Sequence, residues 1–600
     1  MKCGIPSDVI HKEVVIIGNG PSGIALSYML SGNLPFIRSN YHPDEMLSAR
    51  LKPLIGECLV EQDLEQLADG LEGRSTNYIS VLMDALLRPC ADMGLEMEPL
   101  IEFKKAGNKI DHIVLGKGPP GGTWHKMDPY ILTLSLGSWM ALPGLPFNCR
   151  DSCEKRAYAL NVAKYYESYV QYHNLSKHFK NYVEVTNVAQ TGSASLERCV
   201  SEKSIRSTRL KDERNERLSV CLDADIPEER TTCFISNALN CLLSKAHRKK
   251  NRCCKRPLNT DKEHSPYGKV REIDSSDAMP VNGHCRRDKT RSVSLCCDTN
   301  SSCDNVCSRS FTDTFKYNTL RNSYSLDFSK PKVPLMTSYS VTKTEDSWLV
   351  NTEESKTGKR VTYSCKYLVL ANGSSDLPNK LEISEGDTDP EWLVHDLRTL
   401  EDELENLVSA KSKEPVPPVV IVGAGLSAAD AVIAIRARNV PVIHVFRSKS
   451  SDLNKQLPEN LYPEYHKVRQ MMKDGGSTYP LYTAYPEYNL TGLDESTRTV
   501  TLTSKDGKRE HLQVSFAAVL IGARPDLSFL PEHKHVGVNK EIPVDCKINT
   551  IDINKTTHKV NGFKNLFALG PLAGDNFVRF IPGGALAVVS ELYRQNKYLS

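Results

Sequence analysis

Two stretches about 400 residues apart, VVIIGNGPSGIALSYML from Val14 and VVIVGAGLSAADAVIAI from Val419, follow one plan: four apolar residues, a glycine turn, then apolar residues at helical spacing. A continuous apolar run of that kind reads as a strand buried on both faces, as in parallel sheets, and the turn feeds it directly into a helix. The first unit sets Gly18, Gly20 and Gly23 in Gly-x-Gly-x-x-Gly spacing. There the first glycine permits the bend, the second lets backbone approach a pyrophosphate, and the third lets helix and strand pack closely. Gly423, Gly425 and Ala428 repeat the device, the third position needing only a small side chain. Pro21, Ser22 and Ser427 stand at the two helix starts, where unpaired amides and the positive end of the helix dipole face a phosphate. Two such units in one chain specify an α/β fold with a pair of Rossmann-like dinucleotide-binding domains, and hence two nucleotide cofactors.

The strand after each turn bears on which nucleotides. After the second turn, PVIHVFRSKS places Arg447 and Lys449 where an NAD site would present a carboxylate to the ribose diol. Cations there suit a 2′-phosphate, which a guanidinium grips in a bidentate fork, so the expected cofactor is NADPH. The plainer alternative is a pair of solvated surface cations. After the first turn, the expected distance ends near Arg38, in a stretch with no convincing strand. HIVLG, His112 to Gly116, is the better partner, displaced by a helical insertion over residues 33–110 that carries EQDLEQLADGL and YISVLMDALL. That strand ends in Gly116 rather than an acid. A ribose contact must then come from backbone, from Lys117 or from a neighbouring loop.

The chain of 600 residues has room for several domains, and a formal net charge of +3 gives no global nucleic-acid signal. The first residues lack an apolar export core, and no apolar run approaches the roughly 18 residues that cross a bilayer. A soluble protein of the cytoplasm or nucleus is therefore expected, with its 18 cysteines reduced. Eleven of them fall between Cys199 and Cys307, within residues 191–325, a polar stretch of low periodicity read as a long disordered insertion. Its clusters AHRKKNRCCKR and CRRDKTR suit a nuclear-localisation signal or an acidic partner, or are simply a solvated charge run. Cys285, Cys296, Cys297, Cys303 and Cys307 match no common closed zinc spacing, so no metal is expected. The lack of any Cys-x-x-Cys pair argues against a dithiol-reducing flavoenzyme.

GGTW, Gly121 to Trp124, following the strand that serves the first turn, resembles the Gly-Gly-x-Trp stretch beside the flavin of two-dinucleotide-fold flavoprotein monooxygenases. LVLANG, ending at Gly373, looks like the strand that returns from a meander to cover their flavin domain. GNGPSGIALSYMLSGNLP, LVEQDLEQLADGLEGRS, GGTWHKMDPYILTLSLGSWMALPGLPF and LYPEYHKVRQMM together resemble the oxidative stress-induced growth inhibitor family. The resemblance implies an FAD domain interrupted by an NADPH domain. Residues 12–190, 326–385 and 541–600 would form the first, and residues 386–540 the second.

It also implies cofactor-binding roles for Gly116, Lys117, Gly122, Thr123, Trp124 and Gly373. Near the C-terminus, LGPLAGD and IPGGALAV would bring Gly570, Asp575, Gly583 and Gly584 to the flavin's ribityl chain and ring. A polar residue ahead of LPGLPF would touch the flavin, with Ser135 the candidate among Thr133, Ser135 and Ser138. His395 resembles the histidine of the flavin-containing monooxygenase signature, but Asp389 and Glu391 replace its flanking Phe-x-Gly. The implied activity is NADPH-driven reduction of FAD followed by transfer of one atom of dioxygen to an unidentified acceptor, small molecule or protein, in the service of growth restraint, cell death or the oxidative-stress response. The alternative is a catalytically weak regulator that keeps the fold and acts by binding proteins, favoured by Gly116 and the broken histidine signature.

Overall fold

The computed structural model describes residues 9–95, 97–106, 109–147, 156–191, 347–381, 383, 389–410, 415–450, 458–531 and 533–596. All of them belong to one compact unit. The insertion expected over residues 191–325 thus lies outside the described residues apart from Thr191, together with its basic clusters and the cysteines weighed as zinc ligands.

The strand Val9–Ile17 runs through the middle of a seven-stranded sheet. It is parallel to His112–Gly116 on one side and to Arg360–Leu370 on the other. Phe179–Asn181 extends the sheet beyond His112–Gly116, and Leu566–Ala568 lies parallel to the distal half of Arg360–Leu370. The near half of that long strand pairs instead with Trp348–Glu354, which pairs with Val183–Gln190, giving an antiparallel meander. Val14 and Ile16 enter one apolar core and Val15 and Ile17 the opposite one, as a strand covered on both faces requires. The displaced HIVLG strand therefore takes the place expected of it, directly beside the first fingerprint strand.

A second sheet has five parallel strands in the order Leu393–Val394, Ala517–Val519, Val419–Val422, Val442–Phe446 and Tyr482–Pro486. It owns a separate apolar core, and a three-stranded meander over residues 488–513 follows it. The two sheets define two lobes within the one unit.

Residues 33–110 are not wholly helical. Asn33–Ile37 is a strand, paired antiparallel with Ile101–Lys105 to close a ribbon around the helices Glu45–Leu51, Leu64–Ala68 and Tyr78–Leu87. The strand was hidden because it is five residues long, contains Pro35, and finds its partner far along the chain rather than in the main sheet. This insertion is anchored by the C-terminal helix Ile581–Asn596, which packs on both Pro21–Leu30 and Tyr78–Leu87. Just before that helix, the buried Arg579 donates from Nε to Asp84 at 3.0 Å and from Nη1 to Asp92 at 2.9 Å, with its guanidinium 4.4 Å from the Trp139 ring centre. A buried guanidinium requires such pairing, so the contact fixes how insertion and C-terminal segment meet.

Candidate functional site

Both glycine turns are built alike. Gly18 and Gly423 have φ of +114° and +136°, and a Cβ on either would lie 2.2 Å from the Ala371 carbonyl oxygen or 2.4 Å from that of Leu520. Only glycine meets both demands. A Cβ on Gly23 would fall 2.0 Å from the Gly18 oxygen, whereas Ala428 is accommodated, fully buried, in the wider second turn. A Cβ on Gly20 or Gly425 would meet nothing within 4 Å, so each second glycine borders open space. Gly20 and Gly425 are also the N-caps of Pro21–Leu30 and Leu426–Ala437, with no side-chain cap and no acidic residue in the first turn. By contrast Asp44, Asp63 and Asp396 cap their helices by accepting backbone amides. The fingerprint helices leave their first-turn amides without a side-chain acceptor beside open space, an arrangement that fits a phosphate.

Gly116 has a steric explanation. A Cβ there would lie 2.0 Å from Cγ of Asn19, the second residue of the first turn. Buried Asn19 donates from Nδ2 to the Gly118 carbonyl at 2.7 Å and to Asn181 Oδ1 at 3.1 Å. Its amide thus fills the volume an acid at residue 116 would need, and ties the turn to the next two strands. Lys117 turns to Glu184 at 3.1 Å and Asp526 at 3.8 Å, so its ammonium is already matched by carboxylates.

Around the first turn the expected segments converge. The Gly121 amide donates to the Asn19 carbonyl at 2.9 Å, and a Cβ on Gly122, at φ +59°, would be 3.1 Å from Cα of Gly20. Thr123 Oγ1 and Ser375 Oγ share a hydrogen bond of 2.7 Å, while Trp124 is half-buried against the first core. Gly373, at φ +78°, borders open space, and neighbouring Asn372 holds the Asp526 carbonyl through Nδ2 at 3.2 Å. The Oδ1 of Asn372 is buried without a hydrogen-bond partner among the described residues. An orphan acceptor of this kind beside an open glycine cradle fits a donor on a bound nucleotide. Gly570, at φ +64°, is pressed on buried Ser22, since a Cβ there would fall 2.3 Å from Ser22 Oγ.

Other expected residues have protein partners of their own. Asp575 is buried, and its two carboxylate oxygens accept from Ser75 Oγ at 2.5 Å and Ser80 Oγ at 2.8 Å. Burial raises its pKa to about 6 against the opposing hydrogen bonds from Ser75, Asn77 and Ser80 and the charge of Lys555. A Cβ on Gly583 would lie 2.3 Å from Cα of Ser80, and one on Gly584 would lie 3.0 Å from Cε1 of His558. Both glycines sit inside the first turn of the C-terminal helix and permit close packing. On these sides the immediate neighbours of Asp575, Gly583 and Gly584 are the insertion and His558, because this segment packs against residues 75–80. Ser135 is buried in the strand Leu132–Leu136, and its carbonyl accepts from Thr133 Oγ1 at 2.6 Å. His395 shares 3.0 Å with Asp389, the residue standing where the signature would have Phe.

At the second turn, Arg447 and Lys449 are exposed just past the strand Val442–Phe446, and neither has an ion-pair partner among the described residues. Sequence reading missed His444 in that strand. Its buried ring donates from Nε2 to the Gly423 carbonyl at 2.7 Å and accepts at Nδ1 from Tyr482 Oη at 3.0 Å. Burial lowers its pKa to about 4, so it stays neutral in this tautomer and braces the turn from beneath. Its one signal was a polar residue inside the apolar run PVIHVF.

Among the described residues, no cluster of His, Cys, Asp or Glu could hold a metal, and no helix is long and apolar enough to cross a membrane. Cys58, Cys365 and Cys546 are free thiols. Burial pushes Cys58 to about 11 and Cys365 to about 12, so neither is a thiolate nucleophile at neutral pH.

A Rossmann-type dinucleotide-binding fold of the oxidoreductase class accounts for both turns, and residues 332–554 match the family model described as pyridine nucleotide-disulphide oxidoreductase. The chain is 33% identical to human oxidative stress-induced growth inhibitor 2, an alignment covering 97% of this chain and 94% of that protein. It belongs to the oxidative stress-induced growth inhibitor family. Among solved structures, it is similar to bacillithiol disulfide reductase Bdr from Bacillus cereus, with TM-score 0.46, 12% identity and coverage of 98% and 99% of the two chains. It is also similar to a flavin-containing monooxygenase from Stenotrophomonas maltophilia, with TM-score 0.43, 11% identity and coverage of 99% and 100%. At these scores neither likeness decides between the two chemistries.

The contact between residues 19 and 116 is testable by a double-mutant cycle. Gly116→Ala should destabilise by about 1–3 kcal/mol through overpacking, and much of that loss should vanish in an Asn19→Ala background. Additive losses in chemical denaturation would show that the two positions do not compete for one volume. Asp575 gives a pH test. Its folded-state pKa lies above its ordinary value, so its contribution to stability is complete below about pH 4 and is lost as pH rises through about 6. Relative to the parent, Asp575→Asn should therefore gain between pH 4 and 7, by no more than about 3 kcal/mol, and a difference in melting temperature that ignores pH counts against the assignment.

Proposed function

We propose that the chain is an FAD- and NADPH-dependent flavoprotein monooxygenase whose activity serves growth restraint, cell death or the oxidative-stress response. The observation that carries this reading is the pair of open second glycines, Gly20 and Gly425, each at the uncapped start of a helix. FAD is assigned to the first lobe, with its pyrophosphate on Gly18, Gly20, Pro21, Ser22 and Gly23. Gly122, Thr123, Trp124, Gly373 and Gly570 would border it, and Asn372 Oδ1 would accept from it. NADPH is assigned to the second lobe, on Gly423, Gly425, Ser427 and Ala428, with Arg447 and Lys449 on the 2′-phosphate. When bound, the flavin supplies acceptance of a hydride and activation of dioxygen. The protein's share is to hold the two nucleotides at a fixed separation and to keep water from the ring, for which few acid–base side chains are needed.

Domain limits follow the same reading: residues 12–190, 326–385 and 541–600 for FAD, and 386–540 for NADPH. The second reading, a regulator with little turnover, is favoured by Lys117, whose ammonium is already matched by Glu184 and Asp526, so that the ribose has neither an acid at residue 116 nor an unpaired cation beside it. Against it, Gly116 is explained by Asn19 and needs no loss of function to account for it.

An absorption spectrum separates the two readings. Protein supplied with FAD should show a flavin band that bleaches when NADPH is added without oxygen. A flavin band that NADPH leaves untouched supports the regulator, and protein that takes up no FAD defeats both. For the second cofactor, Arg447→Ala should raise the dissociation constant for NADPH by about 10–100-fold, the loss expected for a charge-assisted hydrogen bond, with much less effect on NADH. Equal losses for the two nucleotides would refute the 2′-phosphate assignment.

A further inference from the structure

The strand carrying Ser135 is held at each of three successive carbonyls by residues that also engage the second lobe. Arg156, from the strand Arg156–Tyr158 that pairs with Leu132–Leu136, donates from Nε to the Thr133 carbonyl at 2.6 Å and from Nη2 to that of Leu132 at 3.4 Å. Its Nη1 turns the other way, to the Glu464 carboxylate and to the Leu461 carbonyl at 3.3 Å. The guanidinium carbon lies 4.7 Å from the Tyr462 ring centre and 5.5 Å from that of Tyr465, a position that gains from the negative ring faces. Tyr462 reciprocates, donating from Oη to the Leu134 carbonyl at 2.6 Å, and the Leu134 side chain packs on the second lobe's core.

From there the connection reaches the second glycine turn. Tyr462 precedes the helix Pro463–Asp474, and Tyr465 on that helix hydrogen-bonds Asp430, which projects from the second fingerprint helix Leu426–Ala437. At the other end, the GGTW loop, eight residues before Leu132, rests against Gly20. A path of contacts joined by short chain segments therefore runs from one turn to the other, with Arg156 at its centre. Arg156 is only 10% exposed, its fork of donors is divided between the lobes, and its partners are mostly backbone carbonyls. Such a group fixes geometry rather than adding a surface ion pair.

We propose that Arg156, with Tyr462, is the positioning residue that sets the separation and orientation of the two dinucleotide cradles. This rests on the assignment of FAD and NADPH to those cradles, where one hydride must leave NADPH, yielding NADP+, and arrive on the flavin as two electrons and a proton. Reaction across a gap of a few ångströms is sensitive to small displacements, so a group far from the chemistry controls the rate.

The test is anaerobic stopped-flow reduction of the FAD-loaded full chain by NADPH, comparing Arg156→Ala, Arg156→Lys, Tyr462→Phe and Tyr462→Leu. The limiting rate of flavin bleaching should fall at least tenfold in Arg156→Ala. FAD content and the NADPH concentration for half-maximal rate should stay within about threefold of the parent. Lysine should not restore the rate, since it can neither divide a planar fork nor stack on two rings as the guanidinium does. Tyr462→Phe, which keeps the ring, should lie between parent and Tyr462→Leu. An unchanged limiting rate, or a loss explained by cofactor affinity alone, overturns the proposal.

Hydrogen exchange on the cofactor-free chain tests the clamp independently of the cofactor assignment. Arg156→Ala should speed exchange in both Leu132–Leu136 and Pro463–Asp474 while leaving Val9–Ile17 unchanged. If only one of the first two segments responds, Arg156 does not couple the lobes, whatever the chain binds. If both respond but the parent takes up no FAD, the clamp stands and the cofactor assignment falls.

Discussion

The structure depends on how closely the backbone of each glycine turn approaches the end of a neighbouring strand or its continuation. The Ala371 carbonyl beside Gly18 and the Leu520 carbonyl beside Gly423 occupy the space any side chain would claim. That approach lets a strand buried on both faces pass directly into a helix whose leading amides are unmet. A bulkier residue would push the helix away from the sheet and spoil both the packing and the cradle. The same contact thus serves the core and the proposed anion site, which is why the two cannot be separated by substitution at these glycines.

Much of this was legible because it is local. Apolar runs, glycine spacing and helical periodicity lie within some twenty residues of one another, and the displaced HIVLG strand could be placed because its apolar run was a better partner for the first turn than the stretch near Arg38. The unreadable parts are contacts between distant segments. Gly116 looked like a defect until Asn19 was seen filling its side-chain volume. The contacts of Gly583 and Asp575 with residues 75–80 of the insertion likewise join segments some 500 residues apart and carried no local signal. Arg156 carries no motif, and its importance arises only from the two lobes it touches.

The insertion is accordingly part of the first lobe's framework. Its helix Tyr78–Leu87 covers the C-terminal helix at the point where glycine permits contact, and its acids Asp84 and Asp92 neutralise Arg579. Around the first turn the protein is open at Gly20 and Gly373 and closely packed at Gly570 and Gly583.

The first sheet also has an order of assembly written into its connectivity. Its central strand begins at Val9, whereas one flanking strand spans Arg360–Leu370 and another, Leu566–Ala568, comes still later, after the whole second sheet. During synthesis the second lobe can close on neighbouring segments as it leaves the ribosome, while the first must wait, with apolar edges uncovered, until nearly the last residues emerge. Placing one sheet inside the loop of another thus lengthens the time for which the amino-terminal half stands open to aggregation.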